Sequence, residues 1–502
     1  MKFIYITLAV SVLLGACEEP LNIDPQQELP INESFSTVEG LEAAIIGGYN
    51  ALQDVDLGEG NLVIFPDIYA DNVRFVGSFT SIQDVATQQV TALNAEVIAL
   101  YGDGYTVVNQ ANLILSALES GDVEVTEDNT ADLDRIRGEA LFLRALAYFE
   151  MVRWFGQPFG LDSDEAQSGL VIRTEPVLSP DDIGAAPRNT VAEVYTQIIG
   201  DLEAAAEALP DENLDGRAGR FAALACLAQV RFQQQDYPEV VRLTGEVIAG
   251  PFTLTEDADG FFRDEFSSES IWELSSTEAD ADANIHITAF TNRTLRDGDV
   301  RLSADLINNG YAAIVTPAMR ASLATEGLDV IDQRVALLLQ DADGNAATLD
   351  DLTTLEHPFK YEDAANTADN GLSIRLAEIL LMRAEALLRV NEDGSLSEAL
   401  SLVNRVRLRS LRVVTPDGEE EAAAPFVAYT ASGVGSVEGL IEAIITERRV
   451  ELAFEGNRYH DLARLRRATR SGGPAPGDDR FVFPIPQRAI NANDQIQQNA
   501  GY

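Results

Sequence analysis

Three glutamates spaced four residues apart stand in a charge-dense stretch near the C-terminus. Glu447, Glu451 and Glu455 fall on one stripe of the helix that residues 444–467 predict. Carboxylates grouped in this way can transfer protons, bind a cation or form ion pairs. They also repel one another, by about 0.2–0.5 kcal/mol per pair, unless cations neutralise them. The cations within the stretch are Arg448, Arg449, Arg458, Arg464, Arg466 and Arg467.

The apolar run 452–454 inside this stretch predicts that one face of the helix is buried. A buried charge without a partner is very costly, so the carboxylates and guanidiniums must pair. Structural ion-pair networks are commoner than catalytic ones. We therefore predict a structural network of Glu447, Arg448, Glu451, Glu455, Arg458 and Asp461.

Other catalytic chemistry has no positive signal in the sequence. The three histidines, His286, His357 and His460, are scattered, and no H-E-x-x-H zinc motif, G-x-S-x-G elbow or phosphate-binding glycine loop occurs. A pair of carboxylates could serve a glycosidase. With 82 acidic residues, however, carboxylate pairs of every sequence spacing occur by chance, so no particular pair is a signal. We predict a protein that is not an enzyme and that uses no cofactor and no metal.

A binding signal does occur in the segment 65–79. Sugars present apolar ring faces together with hydroxyl groups, so their sites combine flat aromatic side chains with amides and charged groups. This segment supplies both kinds, and the candidate ligand contacts are Asp71, Asn72, Arg74, Phe75 and Phe79. The alternative interpretation is that its aromatic residues are simply core.

The N-terminus predicts export and a lipid anchor. Lys2 precedes an apolar run, 3–14, which is too short to span a bilayer and fits a signal peptide over 1–16. Leu-Gly-Ala-Cys at 14–17 resembles a bacterial lipobox, with Cys17 as the lipidated residue. Acidic residues directly after Cys17 resemble a surface-export signal, and 17–34 reads as a lipidated, extended tether.

Composition narrows the class further. The chain has 502 residues, 46 % of them hydrophobic, which predicts a globular protein with a large core. Its net charge of −47 excludes nucleic acid as a natural partner. Only Lys2 and Lys360 are lysines, and such an acidic, lysine-poor composition resembles that of proteins from high-salt habitats. Cys226, in an apolar run, reads as a small core residue.

Helical periodicity dominates the elements that must position these residues. Helices are predicted over about 35–52, 94–118, 136–156, 190–209, 220–237, 238–249 and 373–390, with another after 395. Two helix pairs, one from Arg220 and one from Ser373, resemble tetratricopeptide pairs. We expect a mainly α fold in which a helical scaffold, about 35–250 and 371–470, carries a loop-rich, partly β insertion over about 251–370. A second irregular patch is expected over 58–89.

Several segments together resemble the SusD/RagB family of outer-membrane nutrient-binding lipoproteins. They are the lipobox, the charged stretch 444–467, R-A-L-A-Y-F from Arg144, D-I-Y-A-D-N-V from Asp67, and the ending from F-P-I-P-Q to Tyr502. The resemblance implies a single SusD-like domain over 35–502, with loops on a scaffold of helix pairs forming the ligand face. The sugar-stacking tryptophan of that family has no clear counterpart in 65–79, which leaves the glycan class open.

The resemblance also implies a function. Such a protein binds oligosaccharides, or other nutrients such as peptides, at the cell exterior and delivers them to a SusC-like TonB-dependent transporter of the outer membrane. Two other classes stay open: a lipid-anchored glycan hydrolase and a helical scaffold that binds only protein.

Overall fold

The computed structural model describes residues 35–502 apart from 55, 162–166, 180–182, 213, 280–290, 292–297, 342, 344, 350–354 and 364. The predicted signal peptide over 1–16, the lipidated Cys17 and the tether over 17–34 lie outside the described residues, as does His286.

The described helices are, in chain order, α1 Val38–Leu52, α2 Asn61–Tyr69, α3 Thr80–Thr87, α4 Ala95–Ser120, α5 Thr130–Phe155, α6 Val191–Ala208, α7 Arg220–Gln234, α8 Tyr237–Ile248, α9 Gly260–Arg263, α10 Ala304–Leu306, α11 Ala312–Ile314, α12 Pro317–Thr325, α13 Gln333–Ala336, α14 Leu376–Val390, α15 Ser395–Ser410, α16 Ala424–Val427, α17 Ala431–Val434, α18 Val437–Glu451, α19 Arg458–Arg464 and α20 Gln487–Ala492. A π-helical turn, Ile307–Tyr311, joins α10 to α11.

The strands are short. They are β1 Val73–Phe75, β2 Ser270–Glu273, β3 Val300–Leu302, β4 Asp329–Asp332, β5 Leu339–Asp341, β6 Leu355–Pro358, β7 Ser373–Arg375, β8 Leu411–Val414 and β9 Glu420–Glu421. Each pairing is antiparallel: β1 with β3, β2 with β7, β4 with β8, β8 with β9, and β5 with β6.

Consecutive long helices pack on one another and form the body of the fold. Helix α4 packs on α5, α5 on α6, α6 on α7, and α7 on α8. The stack then continues across a long gap in the sequence, because α8 packs on α14, which in turn packs on α15 and α18. Stacked pairs of this kind bury the faces that no single pair can bury alone. The predicted mainly α fold built on helix pairs is confirmed.

Local signals account for several helix ends, although α5 begins at Thr130 and not near 136, and α7 ends at Gln234 and not near 237. Thr190 and Glu193 form a reciprocal capping box at the start of α6, and the Asn94 side chain caps α4. Pro238 lies in the first turn of α8, where its missing N–H is tolerated. Helix α7 ends at Gln234, and Gln235 follows it in the left-handed conformation with φ +61°.

The prediction of an irregular patch over 58–89 is wrong in part, because helices α2 and α3 lie there. Every residue of α2 is buried, so its apolar residues are not confined to one face and it shows no amphipathic period. Pro66 also stands inside it, which reads as a helix breaker. Strand β1 and the loops beside α2 and α3 account for the rest of the patch.

The segment between α8 and α14 contains short helices and strands. Strand β2 pairs with β7, so the segment leaves and rejoins the stack at neighbouring points. Strand β3 pairs with β1, and this pairing joins the segment to the candidate ligand stretch. Within the part of the chain that the structure describes, no helix has the length and apolar character needed to cross a membrane.

Candidate functional site

The three glutamates of the predicted stripe are buried and paired with cations from distant parts of the chain. Glu447 accepts hydrogen bonds from Arg334, at 2.8 Å, and from Arg407. Glu451 accepts from Arg375, at 2.8 Å, and from Arg409. These carboxylates are therefore fully occupied by guanidinium groups.

Glu455 lies outside α18, because the helix predicted over 444–467 is interrupted between Glu451 and Arg458; the expectation of one continuous stripe is wrong at this residue. It accepts from Arg375 Nε at 2.6 Å and from Lys360 Nζ at 2.5 Å. Two further carboxylates join the same set, since Glu269 pairs with Arg375 and Arg409, and Asp332 pairs with Arg334.

We call this set the central cluster. It holds five acids and five cations: Glu269, Asp332, Glu447, Glu451, Glu455, Arg334, Lys360, Arg375, Arg407 and Arg409. Charges of opposite sign are equal in number, so the cluster is neutral although it is buried. That balance is what burial of charge requires.

The same pairing sets the ionisation of the glutamates. Burial by itself would raise the pKa of Glu447, but Arg334 and Arg407 outweigh it and lower that pKa below its ordinary value. The pKa of Glu455 is lowered in the same way, by Arg375 and Lys360 against burial. Both carboxylates are therefore charged at neutral pH.

Two smaller sets repeat this balance. The α14 cluster joins α14 to α18 and α19 with three acids and three cations: Glu378, Glu385, Asp461, Arg389, Arg448 and Arg464. The loop cluster joins the segment before β1 to α18 and α19 with two acids and two cations: Asp71, Asp305, Arg449 and Arg458.

The predicted cations do not neutralise the predicted stripe, and this part of the sequence interpretation is wrong. None of the six arginines in 444–467 pairs with Glu447, Glu451 or Glu455 among the described residues. The helix ends at Glu451 and the next begins at Arg458, so the later arginines do not continue the face of the stripe. Arg448, one position after Glu447, instead pairs with Glu378 and Asp461. The six residues expected to form one network, Glu447, Arg448, Glu451, Glu455, Arg458 and Asp461, are distributed over the three clusters.

The first two candidate ligand residues belong to this charged interior. Asp71 accepts from Arg458 Nε at 2.6 Å and Nη2 at 2.8 Å, and Arg449 lies 3.2 Å from the same carboxylate. Asn72 is fully buried; its oxygen accepts from Arg449 Nε at 2.8 Å, and its amide donates to Asp67 at 2.5 Å. These two side chains hold the start of β1 against α18 and α19.

The other three candidates differ in exposure. Phe75 is buried, in line with the core alternative for that ring. Arg74 is exposed on β1, opposite Arg301 in the strand register, and it makes no hydrogen bond or ion pair to a described residue. Phe79 is 37 % exposed and Val76 is 47 % exposed. We call Arg74, Val76 and Phe79 the β1 surface.

Asp67, which was not a predicted site residue, lies on α2 and accepts the hydrogen bond from Asn72. It is fully buried, and its Oδ2 has no hydrogen bond to a described residue. Burial raises its pKa to about 7, although Asn72 and the Phe454 backbone N–H act in the opposite direction. Its only sequence signal is a carboxylate inside a mostly apolar helix.

The remaining residues of interest are core. His460 is buried edge-on to Trp154 at 5.5 Å, and burial lowers its pKa well below the ordinary value. Trp154 stacks on Tyr459 at 4.6 Å, and Trp272 packs on Phe142 at 5.2 Å. Cys226 is fully buried, so its predicted place in the core is confirmed.

A group of three carboxylates was not anticipated from spacing. Oxygens of Asp54, Asp56 and Asp103 lie within 4.8 Å of one another. Burial and the neighbouring Asp54 raise the pKa of Asp103 to about 6. The first two residues follow α1 whereas Asp103 is on α4, so only the packing of these helices brings them together.

A pocket of about 480 Å³ lies elsewhere on α4, beside α20, residues 171–177 and Ile183. It is lined by Tyr101, Tyr105, Arg173 and Arg488, among others. None of these four was a predicted site residue, because they come from three separate parts of the chain.

Comparison with known proteins gives a consistent result across the chain. The family profile SusD-like_3, described as "Starch-binding associating with outer membrane", matches residues 27–232, and the profile of the SusD family matches residues 292–478. SusD-like protein P38 from Formosa agariphila is 24 % identical over 100 % of this chain and 99 % of its own length.

Solved structures agree in fold. A SusD superfamily protein from Bacteroides thetaiotaomicron superposes with a TM-score of 0.75 at 24 % identity, over 92 % of this chain and 99 % of that one. A laminarin-binding SusD-like protein superposes with a TM-score of 0.66 at 23 % identity, over 92 % and 99 % of the two chains. At these identities the likeness to the solved structures establishes the fold.

Proposed function

Because this chain belongs to the SusD/RagB family, we propose that it is a surface lipoprotein that binds oligosaccharides and delivers them to a SusC-like TonB-dependent transporter. Peptides are the alternative class of nutrient ligand in this proposal. In this proposal Cys17 carries the lipid that holds the protein on the outer membrane, facing the exterior. The protein traps its ligand over the transporter without altering it.

The observation that carries the proposal is the β1 surface. Asp71 and Asn72 fix the backbone at the start of β1 through Arg458 and Arg449. The chain then presents a guanidinium at Arg74 and an aromatic ring at Phe79, which suit the hydroxyls and the apolar face of a sugar. An open surface of this kind accepts a long chain more readily than a closed pocket does.

Delivery sets limits on affinity. A ligand that must pass to a transporter has to dissociate, so micromolar binding, about 8 kcal/mol, is suitable. The fixed backbone at Asp71 favours such binding because little conformational entropy is lost when the ligand arrives.

A hydrolase is the second candidate, and one observation favours it. Asp103, with its pKa raised to about 6, lies beside Asp54, and glycosidases use a protonated acid near an ionised carboxylate. The buried glutamates of the central cluster offer no such pair, because Glu447 and Glu455 are charged and bound to cations.

Titration calorimetry of the purified protein against a panel of soluble polysaccharides, laminarin among them, tests the proposal. We expect micromolar binding to at least one glycan and no release of reducing ends from any. Release of reducing ends that Asp103→Asn abolishes would establish the hydrolase instead. If a β-barrel transporter co-purifies with the protein and calorimetry detects binding of no glycan, the result would indicate the third class, a scaffold that binds only protein.

A further inference from the structure

The pocket on α4 has an apolar wall and a ring pair. Tyr101 and Tyr105 lie with their ring centroids 4.9 Å apart. The apolar wall comes from Val108, Val177, Ile183, Ala489, Ala492 and Ile496. A volume of about 480 Å³ lies in the range of small-molecule sites, roughly 300–1,000 Å³.

Most polar groups of the pocket are already bonded within the protein. Asn109 exchanges two hydrogen bonds with the backbone of Val177, and Asn112 donates to the carbonyl of Arg173 and accepts from Arg144. Tyr105 donates its hydroxyl proton to the carbonyl of Val171. These groups hold the segment 171–177 on α4 and are not free for a ligand.

Two guanidinium groups are the exception. Arg173 donates to the carbonyl of Gly184 at 3.3 Å, and Arg488 donates to the carbonyl of Ile98 at 3.0 Å. Each guanidinium has five N–H donors, so most remain available. Among the described residues, no carboxylate lies within ion-pair distance of either group. Most of the described arginines form an ion pair with a carboxylate, whereas Arg173 and Arg488 form none with a described residue.

A third cation, Arg188, does not line this pocket but interacts electrostatically with its two tyrosines. It is partly buried and is bonded to the carbonyls of Phe155, Ser168 and Gly169 and to Asn499, none of which carries a charge. Its charge acts on Tyr101 and Tyr105. Burial without an anionic partner lowers the pKa of Arg188 to about 10.

We propose that this pocket binds a small acidic sugar, whose carboxylate or sulfate pairs with Arg173 and Arg488 and whose ring lies against the apolar wall. Guanidinium groups bind carboxylates, and tetrahedral oxyanions such as sulfate, through paired hydrogen bonds. An anion in the pocket would also neutralise charge that the protein leaves unpaired. The site is separate from the β1 surface and does not depend on the proposed delivery function.

Calorimetry with three matched probes tests the chemistry. D-glucuronate, D-glucose 6-sulfate and D-glucose share one ring and differ in the group at its sixth carbon. We expect one or both anions to bind, and D-glucose to bind at least tenfold more weakly; the comparison of the two anions decides between carboxylate and sulfate. Equal binding of D-glucose, or no binding of either anion at millimolar concentration, would overturn the proposal.

Variants locate the site. Arg173→Gln and Arg488→Gln should each weaken binding of the preferred anion roughly tenfold to a hundredfold, which is the effect of one charged hydrogen-bond donor. Arg242→Gln removes one positive charge from an exposed helix face and should leave the affinity unchanged. Unchanged affinity in both pocket variants would contradict the proposal.

Gly102→Ala provides a variant that should stay folded. Alanine is the better helix former inside α4, but its Cβ would lie 2.1 Å from Nη2 of Arg488 and must displace that guanidinium. We expect a melting temperature equal to or above that of the unaltered protein, together with at least tenfold weaker binding of the anion. If the Gly102→Ala variant binds the anion with full affinity, Arg488 is not part of the binding site.

Discussion

Asp71 accepts two hydrogen bonds from the guanidinium of Arg458, at 2.6 Å and 2.8 Å, across 387 residues of sequence. This bidentate pair joins the segment before β1 to helix α19. The charged stretch 444–467 thereby fixes the segment that presents Arg74 and Phe79. The β1 surface is in this way connected to the charged stretch 444–467 that resembles the SusD/RagB family.

Removal of the Arg458 guanidinium should loosen this connection. Arg458→Ala leaves the Asp71 carboxylate with Arg449 alone, and we expect the free energy of unfolding to fall by about 2–4 kcal/mol. Arg458→Lys keeps the positive charge but lacks the planar guanidinium, so its free energy of unfolding should lie between those of the alanine variant and the unaltered protein. Urea denaturation measures both. Equal stability of the alanine variant and the unaltered protein would show that the pair is dispensable.

The central cluster predicts a larger effect. Glu451→Gln removes the carboxylate that Arg375 and Arg409 share and leaves a buried excess of positive charge. We expect a loss of about 3–5 kcal/mol in urea denaturation. Glu442→Gln, which breaks the exposed pair with Arg467, is the matched control and should change stability by about 0–1 kcal/mol. Similar losses of stability in the two variants would refute the distinction between buried and exposed ion pairs.

Asp67 predicts a dependence on pH. Its pKa is about 7 in the folded protein against an ordinary value of 3.8, so between these values the folded state binds more protons than the unfolded state. Stability from this group is therefore present below about pH 4 and is lost as pH rises toward and through 7. Asp67→Asn removes the loss, so its stability relative to the unaltered protein should be greater at pH 8 than at pH 5. A constant difference in urea midpoints would contradict this.

The three clusters contain equal numbers of acids and cations, so the excess negative charge of the chain lies on the rest of the molecule. They use ten acids and ten cations, which leaves 72 of 82 acidic and 25 of 35 basic residues elsewhere. Repulsion among these charges is screened as the Debye length falls to about 3 Å at 1 M salt. We expect the melting temperature to rise from 0.05 M to 1 M NaCl. A constant or falling melting temperature would show that repulsion does not limit stability.

Much of the scaffold was predictable, because helix signals are local. The capping box at Thr190 and the proline at the start of α8 lie within one turn of the ends they set. Helix α2 was not predictable in this way, since complete burial removes its amphipathic pattern.

The site was harder to predict, because its geometry depends on contacts distant in sequence. The stripe of Glu447, Glu451 and Glu455 identifies a need for cations. It does not identify Arg334 or Arg375, which reach the stripe only through the segment between α8 and α14 and through β7. Asp71 and Asn72 have the residue types of sugar contacts, and only the position of Arg449 and Arg458 shows that they anchor the backbone.

The most direct test of the account is the affinity of a glycan that the protein binds, measured by calorimetry on Phe79→Ala and Phe426→Ala. The two rings have similar exposure, 37 % and 39 %, but only Phe79 lies on the β1 surface. We predict roughly tenfold weaker binding for Phe79→Ala and full affinity for Phe426→Ala. Full affinity for Phe79→Ala, or equal losses in both variants, would contradict the assignment of the ligand to the β1 surface.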